Sequence, residues 1–165
     1  MGGRGGRGRD GDHRRAVAVA LVKKDRRRRA REAALQILYQ WDIGRGDVGR
    51  AAETFFEHQW PDAQPAPEPL RTFASALASD TVARLAAIDE LVADTAQHWR
   101  PERMAVLDRL ILRMAVCELM RDADTPHAVV INEALELART FSTEDAVKFI
   151  NGMLDAIRKK LDQRP

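Results

Sequence analysis

Five arginines stand within six positions, at Arg26–Arg29 and Arg31, directly before an apolar helical pattern. Cations at a helix N-terminus oppose the helix dipole, at a cost of about a few tenths of a kcal/mol each. A polyanionic ligand would compensate this cost, because guanidinium groups that neutralise phosphates release condensed counterions. A frayed, solvated arm would explain the same run. The residues alone therefore leave both interpretations open.

Two aromatic side chains are predicted to point away from the core. Tyr39, the only tyrosine, lies opposite the apolar stripe of its helix, and Phe149 lies off the stripe of the last helix, beside Asp145 and Lys148. Single-stranded RNA binding requires such surfaces, since unstacked bases need a flat apolar platform and phosphates need cations. Protein partners use similar surfaces, and a neighbouring helix could also cover each ring.

Catalytic motifs are missing from the sequence, which has no Walker loop, no GxGxxG after a strand, no HExxH and no GxSxG. Cys117 and the four scattered histidines lack metal-ligand spacing, so we expect no enzyme, metal site or cofactor. A single cysteine cannot close an internal disulfide, which favours a reducing cytoplasm. The longest apolar run, Ala16–Val22, is much shorter than the roughly 20 residues of a membrane-spanning helix.

The net charge of +2 conceals an uneven distribution along the 165 residues. Residues 1–31 carry 12 Lys and Arg against three Asp, a net charge of +9, and the remaining residues carry −7. A basic arm before an acidic body is typical of a polyanion-binding tail, although a solvated basic tail has the same composition. We predict that residues 1–24 form a disordered Gly/Arg-rich extension and that residues 25–161 form the folded domain.

Apolar residues recur at intervals of three and four from Arg26 onward, which predicts an all-α protein. Short connections between about seven helices favour two antiparallel three-helix bundles that share a central helix. The polar residues 79–81 are the predicted break inside the longest helical stretch. The predicted helices cover about residues 27–43, 47–59, 70–98, 103–121, 126–141 and 143–161.

The helix at about 103–121 is the predicted central helix, because apolar side chains cover most of its circumference. Only Arg109 and Arg113 are predicted to lie on a narrow exposed strip. Glu118 falls on the apolar side, and a lone buried carboxylate is costly, so we expect it to form a structural salt bridge rather than to act functionally.

Two helix starts are predicted from capping residues. Thr125 before Pro126 has the form of an N-cap followed by an N1 proline. The segment Ser142–Asp145 resembles a shortened capping box.

Three segments stand out together: RRRRAREAALQILYQWD at 26–42, LDRLILRMAVCEL at 107–119 and DTPHAVVINEALELARTFSTEDAVKFINGMLD at 124–155. Together they resemble the NusB family of bacterial transcription antitermination factors. The resemblance implies an all-helical fold of two three-helix bundles. It also implies binding of the boxA element of ribosomal RNA leaders together with NusE, a small-subunit ribosomal protein, and loading of that complex onto RNA polymerase.

The resemblance also implies roles for individual residues. The RNA-contacting start of the family's first helix corresponds to Arg27, Arg28, Arg29 and Arg31, and its RNA-proximal last helix corresponds to Asp145, Lys148 and Phe149. Positions that face NusE correspond to Tyr39 and Asp108. With this resemblance the arginine run favours a ligand, and alanine at Arg28, Arg29 and Arg31 is expected to weaken RNA binding without loss of stability.

Two other functions stay open. A protein-interaction module would bind NusE without RNA. An RNA-targeting module would serve an enzyme that modifies ribosomal RNA, although no cofactor-binding domain follows here. The sequence also leaves open a homodimer.

Overall fold

The computed structural model describes residues 7–121 and 124–164, with side chains except at residues 7–10, 12–13 and 16–24. Every regular element in these ranges is helical, which confirms the predicted all-α class. A π-helical turn (Phe55–Gln59) follows the second helix, and a 3-10 turn (Pro101–Arg103) precedes the fifth. The α-helices are α1 (Arg7–Gly44), α2 (Val48–Thr54), α3 (Glu68–Ala83), α4 (Leu85–Thr95), α5 (Val106–Met120), α6 (His127–Phe141) and α7 (Glu144–Asp162).

Helix α5 is central, as predicted. It packs against α1, α3, α4, α6 and α7. Every residue from Leu110 to Leu119 is buried, and all of them except Arg113 and Glu118 belong to one continuous apolar core. Cys117 is fully buried there, and desolvation raises the pKa of its thiol.

The prediction that Arg113 lies on an exposed strip of α5 is wrong. Its side chain is buried, and its Nε and Nη2 donate to the two carboxylate oxygens of Asp89 in α4 at 2.9 and 2.8 Å. Arg109 is half-buried and binds Asp42 of α1 at 3.2 Å. Both guanidinium groups therefore join α5 to neighbouring helices instead of facing solvent.

The helix break falls at Arg84, and not at the polar residues 79–81. Thr81 is buried, and its hydroxyl donates to the Leu77 carbonyl at 2.7 Å, so the helix accommodates this polar group. Asp80 accepts hydrogen bonds from Arg121 at the end of α5. These polar side chains have partners within the fold and do not interrupt α3.

The two predicted helix starts differ from those in the structure. The N-cap of α7 is Thr143, whose hydroxyl accepts from the Ala146 amide at 3.2 Å. Helix α6 begins at His127, after Pro126, and the Thr125 hydroxyl accepts a hydrogen bond from Arg27 at 3.1 Å instead of capping the helix.

Helix α1 begins at Arg7, about 20 residues before the predicted start. The predicted disordered extension at residues 1–24 and the domain limits 25–161 stay predictions. Residues 7–24 form the first part of α1, and residues 1–6 lie outside the described residues.

Candidate nucleic-acid interface

The arginine run occupies α1 where the helix meets the rest of the protein. Arg26 is exposed, Arg27, Arg28 and Arg29 are half-buried, and Arg31 is buried. A helix turns by about 100° per residue, so consecutive arginines must face different neighbours. Each guanidinium group from Arg27 onward has its own contact.

Arg31 is an interior residue, and this corrects its predicted role in RNA contact. Only 2% of the residue is exposed, and its Nε and Nη2 each donate to a Glu118 carboxylate oxygen at 2.9 Å. The salt bridge expected for Glu118 is therefore present, and its partner is one of the arginines assigned to RNA. A buried guanidinium group that is bound at both of these nitrogens cannot reach a phosphate on the surface.

Arg28 binds Glu133 of α6 in the same bidentate manner, with both N–H···O distances at 3.1 Å. The carboxylate is buried, but 39% of the Arg28 side chain is exposed. The hydrogen bond and the charge of Glu133 raise the pKa of Arg28 above its usual value. Arg28 is therefore held in place by the protein while part of its guanidinium group faces solvent.

Arg29 reaches the connection between the π-helical turn and α3. Its Nη2 donates to Asp62 Oδ2 at 2.6 Å, and its guanidinium group lies 4.8 Å from the centre of the Trp60 ring. Both partners of this ion pair are substantially exposed. A solvent-accessible anion can therefore compete for Arg29.

Arg27 and Arg31 both lie close to Phe73 of α3. Their guanidinium carbons are 5.5 and 5.2 Å from the centre of the ring, within the range of a cation–π interaction. Arg27 also donates to Thr125. The protein's own groups thus contact all four arginines, whereas the sequence pattern predicts a cationic surface.

The predicted outward direction of three side chains of α7 is confirmed. Asp145, Lys148 and Phe149 are all exposed, and Phe149 retains 42% of its surface. Thr143 caps the helix directly before them, which fixes the position of its first turns. The exposed aromatic ring beside a lysine matches what a stacked base and its phosphate need.

Tyr39 and Asp108 lie at one end of the molecule. Tyr39 is 42% exposed and precedes Asp42 by one turn, and the Asp42–Arg109 ion pair joins the end of α1 to the start of α5. Asp108 is half-buried and accepts a hydrogen bond from the Ser142 hydroxyl, between α6 and α7. This end therefore also carries the start of α7.

Two exposed apolar side chains at this end were missed by sequence analysis. Ile43 is 68% exposed and follows Tyr39 by one turn, and Phe141 at the end of α6 is 39% exposed. Residues four positions apart lie on the same face of a helix, so the outward direction of Tyr39 could have predicted that Ile43 is exposed. Ile43 and Tyr39 can form one apolar strip on α1.

Helix α6 lies in contact with both groups of residues. Arg28 contacts Glu133 of α6. Helix α6 also packs against α7, which carries Lys148 and Phe149.

Within residues 7–121 and 124–164, no group of three or more His, Cys, Asp or Glu side chains could hold a metal ion. In the same part of the chain, no helix is both long and apolar enough to cross a membrane.

The NusB family model matches residues 28–159. The transcription antitermination protein NusB of Solibacter usitatus is 45% identical over 137 residues, which cover 83% of this chain and 91% of that protein. The protein of the same name from Koribacter versatilis is 44% identical over 141 residues, with 86% and 94% coverage.

Solved structures are similar over the same region. NusB of T. maritima has a TM-score of 0.72 and 32% identity, and the match covers 81% of this chain and 91% of that one. A chain in a crystal structure of the antitermination factors NusB and NusE with double-stranded RNA has a TM-score of 0.69 and 26% identity, with 82% and 98% coverage.

Proposed function

The chain belongs to the NusB family of transcription antitermination proteins. We propose that it binds the boxA element of ribosomal RNA leader transcripts together with NusE. The complex would join RNA polymerase in the cytoplasm and support processive transcription. The relatives are named as antitermination proteins, and the proposal includes no catalytic step.

The observation that carries the proposal is the exposed Lys148–Phe149 pair on α7. An unpaired base can stack on the Phe149 ring while Lys148 neutralises the adjacent phosphate. Asp145 lies one turn earlier and borders the same surface. A similar chain occurs in a crystal structure of NusB and NusE with double-stranded RNA, which supports RNA and NusE as ligand and partner.

The proposed RNA path continues from α7 across α6 to Arg27, Arg28 and Arg29. Arg28 and Arg29 are partly exposed, so a phosphate can approach them from solvent. Arg31 is excluded from this path because it is buried.

The proposed NusE surface is the end that carries Tyr39 and Asp108. Tyr39 offers an exposed aromatic side chain, and Ile43 extends it by an apolar side chain. Asp108 adds a half-buried carboxylate at the start of α5, which the Asp42–Arg109 ion pair joins to the end of α1. A partner with an apolar contact and a basic side chain fits this surface.

Fluorescence anisotropy with single-stranded boxA RNA, with and without NusE, tests the proposal. Four cations at phosphates predict a log–log salt slope of about −3. Phe149→Ala is expected to weaken binding by about tenfold, since stacking of one base on an aromatic side chain is worth about 1–3 kcal/mol. Lys148→Ala is expected to weaken binding through the loss of one phosphate contact and to make the salt slope shallower. Lys159→Ala, an exposed lysine near the other end of α7, is the matched control and is expected to retain binding. A flat salt response contradicts the proposal.

The alternative that the chain binds NusE without RNA is favoured by one observation, the pairing of Arg28 and Arg29 with the protein's own carboxylates. The same titration separates the two functions. Binding of NusE with no RNA affinity in either condition would support the alternative.

A further inference from the structure

The segment Trp60–Gln64 is fixed against the arginines of α1. The Trp60 indole N–H donates to the Gln64 carbonyl at 3.1 Å, which closes the segment on itself. The Trp60 ring packs edge-on against Phe55 at 6.4 Å and obliquely against Phe56 at 5.8 Å. Trp60 therefore has anchors that do not involve Asp62.

Asp62 uses this position to bind Arg29. Its carboxylate lies 2.6 Å from Arg29 Nη2, with 47% of the Asp62 side chain and 37% of the Arg29 side chain exposed. Exposed ion pairs contribute little to stability, because water screens the charges and both side chains lose conformational freedom. The pair is therefore a weak structural contact between two accessible groups.

A carboxylate and a phosphate compete for the same guanidinium donors. Both are anions, and each presents two oxygens that can accept parallel N–H hydrogen bonds from one guanidinium group. A phosphate that binds Arg29 Nη2 must displace Asp62. Trp60 stays under the guanidinium group when this happens, since it is held by Phe55, Phe56 and Gln64.

We propose that Asp62 sets the affinity for RNA by competing with the RNA phosphate for Arg29. The proposal rests on the proposed RNA-binding function and adds a residue that neither the sequence pattern nor the resemblance indicates. Glu133 differs from Asp62, because it is 5% exposed and binds Arg28 through both oxygens. Glu133 is a structural partner that RNA cannot displace cheaply, whereas Asp62 is a replaceable one.

The test is RNA affinity of the full chain after Asp62→Asn, measured by anisotropy with single-stranded boxA RNA at low and moderate salt. Loss of the competing carboxylate is expected to raise the affinity up to about fivefold at low salt. The gain is expected to shrink as salt increases, because salt screens the exposed pair. Asp62→Glu keeps the charge and is expected to bind as the unaltered chain does.

Glu53→Gln is the matched control. It removes one negative charge from α2, and Glu53 forms no ion pair with any residue that the structure describes. A gain equal to that of Asp62→Asn would show a general charge effect and overturn the proposal. The second control is Asp62→Asn in an Arg29→Ala background, where the gain is expected to vanish; a gain that persists there also overturns the proposal.

Different results would contradict the proposed function and the inference about Asp62. If the unaltered chain binds no boxA RNA with or without NusE, the proposed function fails, and the inference about Asp62 fails with it. If the unaltered chain binds RNA and Asp62→Asn binds no better, only the inference about Asp62 fails.

Discussion

At the scale of single residues, Glu118 depends on Arg31. Both side chains are buried, and the carboxylate accepts two hydrogen bonds from the guanidinium group. Removal of one member of such a pair leaves an uncompensated buried charge, which is strongly destabilising.

Arg31→Met is therefore expected to lower the free energy of unfolding by about 3–5 kcal/mol. Urea unfolding followed by circular dichroism measures this loss. Arg29→Ala is the control, and its exposed ion pair predicts a loss of at most about 1 kcal/mol. Equal losses in the two variants would contradict the interior role of Arg31. The buried Arg31–Glu118 pair argues against the expectation that alanine at Arg28, Arg29 and Arg31 leaves stability unchanged.

The outward direction of Tyr39 and Phe149 is predictable from sequence, and the structure confirms it. Direction around a helix depends on local spacing alone, so the pattern of the same helix is enough. The partners of Arg28 and Arg31 are not predictable in this way. Glu133 and Glu118 lie 105 and 87 residues away, and helical periodicity carries no information about contacts across that distance.

At the scale of helices, α7 depends on its N-cap. The Thr143 hydroxyl accepts from the Ala146 amide and satisfies one of the four free N–H groups at the helix start. The first turns of α7 also carry the exposed Asp145, Lys148 and Phe149.

Thr143→Ala is expected to cost about 1 kcal/mol of stability, as measured by urea unfolding. Thr140→Ala is the matched control, because Thr140 is exposed and its hydroxyl donates within α6 to the Glu136 carbonyl. That hydroxyl caps no helix, so this change is expected to be nearly neutral. A larger loss for Thr140→Ala would argue against capping by Thr143.

The number and order of helices are predictable from the spacing of apolar residues, but some boundaries are not. The break at Arg84 follows a segment whose polar side chains find partners, such as Asp80 with Arg121 from another helix. The predicted exposure of Arg113 is wrong for a similar reason. Its partner Asp89 belongs to α4, and the spacing of residues within α5 does not reveal that contact. Helical periodicity predicts that a charged side chain faces solvent, but an ion pair with another helix allows that side chain to be buried.

At the scale of the whole molecule, charge is separated along the chain. Residues 1–24 carry seven Lys or Arg and two Asp, ahead of a body with excess acid. A basic segment of this kind is expected to attract RNA at long range and to add phosphate contacts, irrespective of its conformation.

Removal of residues 1–24 is therefore expected to weaken RNA binding at low salt and to make the log–log salt slope shallower. Anisotropy titrations at several salt concentrations measure both effects. The matched control keeps the length and replaces the seven cations with glutamine, and it is expected to lose as much affinity as the truncation. An unchanged slope after truncation would show that the basic segment takes no part.

The burial of Cys117 has a practical consequence. It is the only cysteine of the chain, it is fully buried, and the pKa of its thiol is raised by desolvation. Reagents that attack the thiolate, such as maleimide dyes, therefore have little access to it in the folded protein. A cysteine introduced on the surface can be labelled selectively without replacing Cys117, which makes this molecule suitable for fluorescence energy transfer measurements.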